Sequence, residues 1–198
     1  EVPEPTTYTG VFFDAAVEGL NYQTPSQSSK TNANGEFIFQ LDEEVIFSIG
    51  DITLPIVKAS TYVTPLEIFT TEDIYQREVV NLLRLLQSLD VDGDTSNNIQ
   101  ISETSHQLAM GLSIDFSADN FEQQAADLVM NSGGFHLQLI SADMAITHFQ
   151  QTLAMIQNQG LSNCGKTHPK IGYNGNFETF AHNVSGKATI IDDCTIEI

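Results

Sequence analysis

The stretch GEFIFQLDEEVIFSIG, Gly35 to Gly50, alternates apolar and polar residues on both sides of a short acidic turn. The apolar positions of its two halves are Phe37, Phe39, Leu41, Val45, Phe47 and Ile49. A period of two is typical of strands that bury one face, so this stretch predicts a β-hairpin. Asn34-Gly35, at its start, predicts a further tight turn.

Other short apolar runs separated by turn formers lie on the N-terminal side of this hairpin, as in TYTGVFFDAAVEGLNYQT. Because several short strands joined by turns are typical of packed sheets, residues 1–70 are predicted to form a β-sandwich module.

From Thr71 the apolar period changes to that of a helix. The stretch EDIYQREVVNLLRLLQSL predicts one helix capped by Thr71, and FSADNFEQQAADLVMNSGG predicts a second capped by Ser117. A third, SADMAITHFQQTLAMIQNQG, is predicted to begin at Ser141 and end at Gly160. Residues 71–160 are therefore predicted to form a helical segment.

Residues 161–198 are predicted to be a loop followed by C-terminal strands, with Cys194, Ile196 and Ile198 on one face. The fold class expected for the whole chain is α+β: an N-terminal β-sandwich, a three-helix segment and C-terminal strands that complete a sheet.

The chain carries 26 acidic and 7 basic residues, for a net charge of −19. Such a surface repels nucleic-acid phosphates and anionic lipid, and it attracts cations. Its polar residues are mainly Thr, Ser, Asn and Gln, a composition common in extracellular bacterial proteins. No run approaches the ~20 apolar residues of a membrane span. The start at Glu1 is what removal of a leader would leave.

Three aspartates at alternate positions follow the first predicted helix: Asp90, Asp92 and Asp94. Carboxylates and neutral side-chain oxygens are the ligands that Ca²⁺ prefers, and this spacing matches the first half of an EF-hand loop. The candidate metal ligands are Asp90, Asp92, Asp94, Ser96, Asn98 and Glu103. The match ends there, because position six is Thr95 and position twelve is Ile101. We expect a structural calcium site, and the alternative is a solvated Asp/Asn/Gly turn.

Cys164 and Cys194 are the two cysteines of the chain. A disulfide between them would close a loop of about 30 residues, and the alternative is two buried thiols. In an exported protein the disulfide is favoured. Cys164 and His168 are a weaker candidate for a soft-metal pair.

Catalytic motifs are not apparent in the sequence. The five histidines show no zinc-type spacing, and His148, inside the third predicted helix, is interpreted as a packed or exposed residue. Neighbouring carboxylates are expected to be a solvated surface in so acidic a chain. We therefore do not expect an enzyme.

Two parts of the chain resemble known families. The pieces TPL, VVNLLRLLQSLDVDGDTSNNIQIS and GEFIFQLDEEVIFSIGDITL, within residues 10–157, resemble an N-terminal module of secreted and lipid-anchored surface proteins of marine gammaproteobacteria, some of them described as adhesins. The resemblance implies a small β-sandwich followed by helices, at the cell surface.

The C-terminal stretch FETFAHNVSGKATIIDDCTIEI is similar to the opening strands of a DM-thirteen domain. That resemblance implies an electron-transfer role centred on Cys194, although the chain covers only about the first third of such a domain.

Taken together, these features predict a secreted or cell-surface, non-enzymatic, calcium-binding structural or adhesive protein. Its expected partners are other copies of itself, in a head-to-tail filament, or a ligand of the cell surface or matrix. In the filament, Thr6–Phe13 of one subunit would add a strand to the C-terminal sheet of the next. The alternatives are a redox module centred on Cys194 and a monomeric glycan- or peptide-binding module.

Overall fold

The computed structural model describes residues 6–167, 189–192 and 195–197, with the side chains of residues 6–157. The strands are β1 (Thr7–Phe12), β2 (Val17–Glu18), β3 (Asn21–Gln23), β4 (Ser28–Lys30), β5 (Glu36–Gln40), β6 (Glu44–Ile49), β7 (Ile52–Thr53), β8 (Val57–Lys58), β9 (Tyr62–Val63), β10 (Ile99–Gln100), β11 (Thr189–Asp192) and β12 (Thr195–Glu197). The helices are α1 (Pro65–Ile68), α2 (Arg77–Ser88), α3 (Glu103–Leu108), α4 (Phe121–Asn131) and α5 (Ala142–Thr167). The predicted α+β class is confirmed.

The chain divides into two compact units, Glu1–Gln150 and Gln151–Ile198. The first contains both larger sheets. One has the strand order β5-β1-β9, and the other has β4-β3-β6-β7 with β8 also paired to β6. A short parallel pair joins β10 to β2.

The predicted hairpin at residues 35–50 is wrong in its pairing, although both strands exist. Strand β5 pairs with β1, and β6 pairs with β3, β7 and β8, so the two strands belong to different sheets. Their apolar faces meet across the core instead, where the rings of Phe37 and Phe47 contact edge to face at 5.2 Å. Leu41 is 71 % exposed because it lies in the connecting turn rather than on the buried face.

Strand β1 lies in the middle of its sheet, antiparallel to β5 and parallel to β9. Phe12 on β1 is fully buried and packs on Phe47 with ring centroids 4.8 Å apart. The segment Thr6–Phe13 would therefore have to leave two strands of its own chain before it could act as a donor strand in a neighbour.

Helix α2 closes the core of the first unit. Its leucines at 82, 83, 85 and 86 are fully buried, and most of them join one apolar cluster with the strand residues and α4. Helix α2 also holds later segments through polar side chains: Asn81 donates to the Phe116 carbonyl, and the Ser88 hydroxyl accepts from the Ile140 backbone N–H.

The predicted helix starts differ from the observed ones for a local reason. Thr71 does not cap α2, because its hydroxyl accepts from the Asp73 backbone N–H within a turn. Ser117 does not cap α4, because both its N–H and its hydroxyl donate to Asp115. Ser141 does cap α5, since its hydroxyl accepts from the Met144 N–H.

Two further differences concern helix extent. Helix α5 continues through Gly160 to Thr167, where the sequence predicted a loop, and α3 was not predicted. Across the helices that the structure describes, no segment is apolar for long enough to cross a bilayer.

The second unit contains the antiparallel pair β11 and β12, with an irregular register between Ile190 and Asp192. The predicted Cys164–Cys194 disulfide lies outside the described side chains, as does the soft-metal pair of Cys164 and His168.

Candidate functional site

The acidic loop, residues 90–101, leaves the end of α2 and returns beside its own start. Asp90 and Ile101 form an isolated antiparallel bridge, and β10 within the loop pairs with β2. These two attachments fix the ends of the loop against the core, while Asp92 and Asp94 at its tip are exposed.

Asp90 is the buried member of the aspartate series, with no exposed surface. Its Oδ1 accepts from the Gln100 backbone N–H at 2.8 Å, whereas Oδ2 has no hydrogen-bond donor among the described residues. Burial raises the pKa of the Asp90 carboxyl, and the adjacent negative charge of Asp92 raises it further. Two carboxyl groups that face each other in this way require a proton or a cation between them.

Asp92 and Asp94 serve the loop itself in this conformation. Asp92 accepts from the Asp94 N–H at 2.9 Å and from the Asn97 side chain at 3.1 Å, and these bonds lower the pKa of its carboxyl. Asp94 accepts from both the N–H and the hydroxyl of Ser96. Such bonds to groups two residues ahead are the geometry of a plain Asx turn.

The remaining predicted ligands have other partners. The Asn98 amide donates to Glu18 at 2.9 Å, and Glu103 begins α3 and is paired with Lys30, which lowers the pKa of the Glu103 carboxyl. The structure therefore brings Asp90, Asp92, Asp94 and Ser96 into one loop. In the described ranges no three His, Cys, Asp or Glu side chains are grouped as a metal site.

A second loop packs on the acidic loop, and the sequence did not predict this contact. The Phe135 backbone N–H donates to the Asp90 carbonyl, and the Phe135 ring lies over Gly93 while remaining 68 % exposed. The pair Gly133-Gly134 is typical of a helix stop. It also permits this approach, because a Cβ on Gly134 would lie 2.8 Å from the Asp90 oxygen.

A buried polar network adjoins the acidic loop on its inner side. Asp14, in the turn between β1 and β2, is fully buried and accepts from the Gln87 side chain of α2. His148 of α5 lies between the Asp14 backbone carbonyl and the Thr95 hydroxyl, at 3.1 Å and 3.2 Å. An aspartate inside the apolar run FFDAAV was the signal that could have indicated it.

This network is not a nucleophile triad, although a hydroxyl, an imidazole and a carboxyl follow one another. The imidazole Nε2 donates to a backbone carbonyl, and its distance of 3.9 Å to the Asp14 carboxylate exceeds a hydrogen bond. His148 is thus positioned to link three segments.

His106 is a second histidine with a structural role. Its Nε2 donates to the Gly19 carbonyl at 2.7 Å, and its Nδ1 accepts from the Gly50 N–H at 2.9 Å. Burial lowers the pKa of His106, against the bond to the Gly19 carbonyl, which favours the charged ring. The bond from Gly50 requires Nδ1 to be unprotonated, and it therefore fits the neutral ring.

Comparison with known proteins identifies no relative: no family model, curated protein or solved structure matches the chain.

Proposed function

We propose that this chain is a non-enzymatic, calcium-stabilised structural or adhesive protein of the bacterial cell surface or its surroundings. The acidic loop would hold Ca²⁺ through Asp90, Asp92 and Asp94, with a neutral oxygen from Ser96. The ion would join the end of α2 to the strands, so its role is to hold the chain rather than to perform chemistry.

The observation that carries this proposal is the unpartnered Oδ2 of the buried Asp90 beside the Asp92 carboxyl. A buried carboxylate oxygen without a donor is costly, and a cation shared with a second carboxylate removes that cost. Calcium accepts such mixed carboxylate and hydroxyl ligands in irregular arrangements. Its binding requires the exposed side chains of Asp92 and Asp94 to exchange loop bonds for the ion.

The negative charge of the molecule supports the proposal that its ligand is a cation from the extracellular medium. The four basic residues within residues 6–157 are each paired with a carboxylate, which leaves most acidic groups there without a cation. Such an excess of negative charge raises the local concentration of cations.

Thermal unfolding of the full chain with Ca²⁺ tests the proposal. At a Ca²⁺ concentration about 100 times the Kd, binding to the folded state stabilises by about 2.7 kcal/mol, which raises Tm by several degrees. We expect this rise in Tm to be much smaller for Asp92→Asn and absent for Asp90→Asn. Without calcium, Asp90→Asn should be more stable than the parent protein.

The matched control is Asp115→Asn. Asp115 accepts from the N–H and hydroxyl of Ser117 as Asp94 does from Ser96, but in an isolated turn. The Asp115→Asn substitution should leave the rise of Tm with Ca²⁺ unchanged. A Tm that responds no more to Ca²⁺ than to equal Mg²⁺ would show that the loop is a plain turn whose carboxyls share a proton.

Light scattering in the same calcium titration tests self-association. A particle mass that grows with Ca²⁺ and falls with chelator supports a homopolymer. A constant monomer mass would contradict the homopolymer.

A further inference from the structure

Asp14 and His148 form a buried ionisable pair that the calcium proposal does not use. Asp14 has no exposed surface, and the His148 side chain is 13 % exposed. The imidazole Nε2 lies 3.1 Å from the Asp14 carbonyl oxygen and 3.9 Å from its carboxylate Oδ1. The pair therefore connects the β1–β2 turn directly to helix α5.

The hydrogen bonds define the neutral tautomer of His148. A carbonyl oxygen only accepts, so Nε2 carries the hydrogen that it shares with Asp14. The neutral Nδ1 then accepts from the Thr95 hydroxyl at 3.2 Å. One ring thus holds both the β1–β2 turn and the acidic loop.

The groups around the pair are otherwise neutral. From α2, the Gln87 amide donates to both carboxylate oxygens of Asp14 and also to the Ala145 carbonyl of α5. The acidic loop contributes the Thr95 hydroxyl. Among the described residues, no other charged side chain forms a hydrogen bond or ion pair with Asp14 or His148. The proton count of Asp14 and His148 therefore sets the charge of this group of bonded side chains.

We propose that Asp14 and His148 form a proton-dependent latch, which holds α5 and the acidic loop on the β1–β2 turn while the pair carries one proton. With one proton the pair is either neutral or an ion pair, and both are tolerated in a buried site. With two protons an imidazolium is buried without a counter-charge, and with none a carboxylate is.

The pKa shifts of Asp14 and His148 have the signs that this latch requires. Burial raises the pKa of Asp14 well above its usual value, against the Gln87 bonds, and burial lowers the pKa of His148. A raised acid pKa gives stability that is lost as pH rises. A lowered histidine pKa gives stability that is lost as pH falls.

The pH window of the latch follows from the opened state, in which both groups are solvated. That state carries one proton between about pH 3.9 and about pH 6.5, which is the proton count at which we propose that the latch is closed. Above about pH 6.5 it carries none and below about pH 3.9 it carries two, so opening is favoured outside this window.

Hydrogen exchange of the backbone amides of residues 142–150, across a pH series and corrected for intrinsic rates, measures the opening. In His148→Gln the alkaline rise in opening should begin near pH 3.9 instead of about 6.5. In Asp14→Asn the acid rise should begin near pH 6.5 instead of about 3.9. His136→Gln, a histidine outside the latch, should follow the parent.

If opening begins at the same pH in both variants as in the parent protein, the proposed latch is contradicted. If a variant fails to fold, the parent protein decides: the midpoint of the NMR titration of the His148 ring should lie below that of a solvated imidazole, about pH 6.5. A His148 midpoint near that of an exposed imidazole would show that the pair does not share one proton.

Discussion

At the scale of the residue, Gly93 determines how the acidic loop meets its neighbour. Its φ is +72°, and a Cβ there would lie 2.6 Å from Cδ1 of the Phe135 ring. Both conditions exclude larger residues: the left-handed backbone disfavours a side chain, and the ring occupies its space. The D-x-D-G pattern indicates the turn in the sequence, but the Phe135 contact arises only in three dimensions.

Alanine substitution separates these two conditions. Gly111 has a similar φ of +76°, and a Cβ there would meet no other atom within 4 Å, so Gly111→Ala should lose about 1–2 kcal/mol from backbone strain alone. Gly93→Ala should lose about 1–3 kcal/mol more, because Phe135 must move. Urea unfolding of both variants measures the difference. Equal losses of unfolding free energy would mean that the Phe135 ring moves aside at no energetic cost.

At the scale of the element, local capping decides where helices begin. Helix α1 has a complete capping box: the Thr64 hydroxyl accepts from the Leu66 N–H, and Glu67 accepts from the Thr64 N–H at 2.7 Å. Pro65 occupies the first turn, where its missing N–H is not needed. Periodicity predicts no helix here, since one turn is too short to show a period.

Replacement of Thr64 should therefore be costly for so short a helix. Thr64→Ala should reduce the free energy of unfolding by about 1–2 kcal/mol, because the cap is also buried. Ser117→Ala is the control: Ser117 was predicted to be a cap but bonds to the exposed Asp115, so its loss should stay within about 0.5 kcal/mol. Similar losses in chemical denaturation would contradict the assignment of the cap.

At the scale of the whole molecule, excess negative charge opposes the compact state. The net charge is −19, and the basic residues of the first unit with described side chains are already paired. Repulsion among the remaining carboxylates acts over distances that salt screens.

Stability should accordingly increase with ionic strength. We expect Tm to rise as NaCl shortens the Debye length from about 30 Å to about 3 Å, with most of the rise at the lower concentrations. KCl should give the same curve, since screening depends on charge rather than on ion identity. A Tm that falls with NaCl would mean that the surface ion pairs outweigh the repulsion. A greater effect of Ca²⁺ at equal ionic strength would be expected if Ca²⁺ binds the acidic loop as proposed.

Periodicity determined much of this protein directly. The α+β class, the strands around Phe37 and Phe47, the leucine face of α2 and the Ser141 cap all depend on residues within one or two turns of each other. Such patterns are visible because side-chain direction follows the backbone repeat. The presence of an acidic loop after α2 was equally local.

Tertiary structure alone decided which segments meet. The residues of β5 and β6 alternate identically for a hairpin and for strands of two facing sheets, and only the partners β1 and β3 separate these arrangements. Likewise, the buried Asp90 oxygen and the Asp14–His148 pair depend on residues far apart in the chain. Burial changes the chemistry of a carboxyl or an imidazole, and burial is a property of the assembled core rather than of the local sequence.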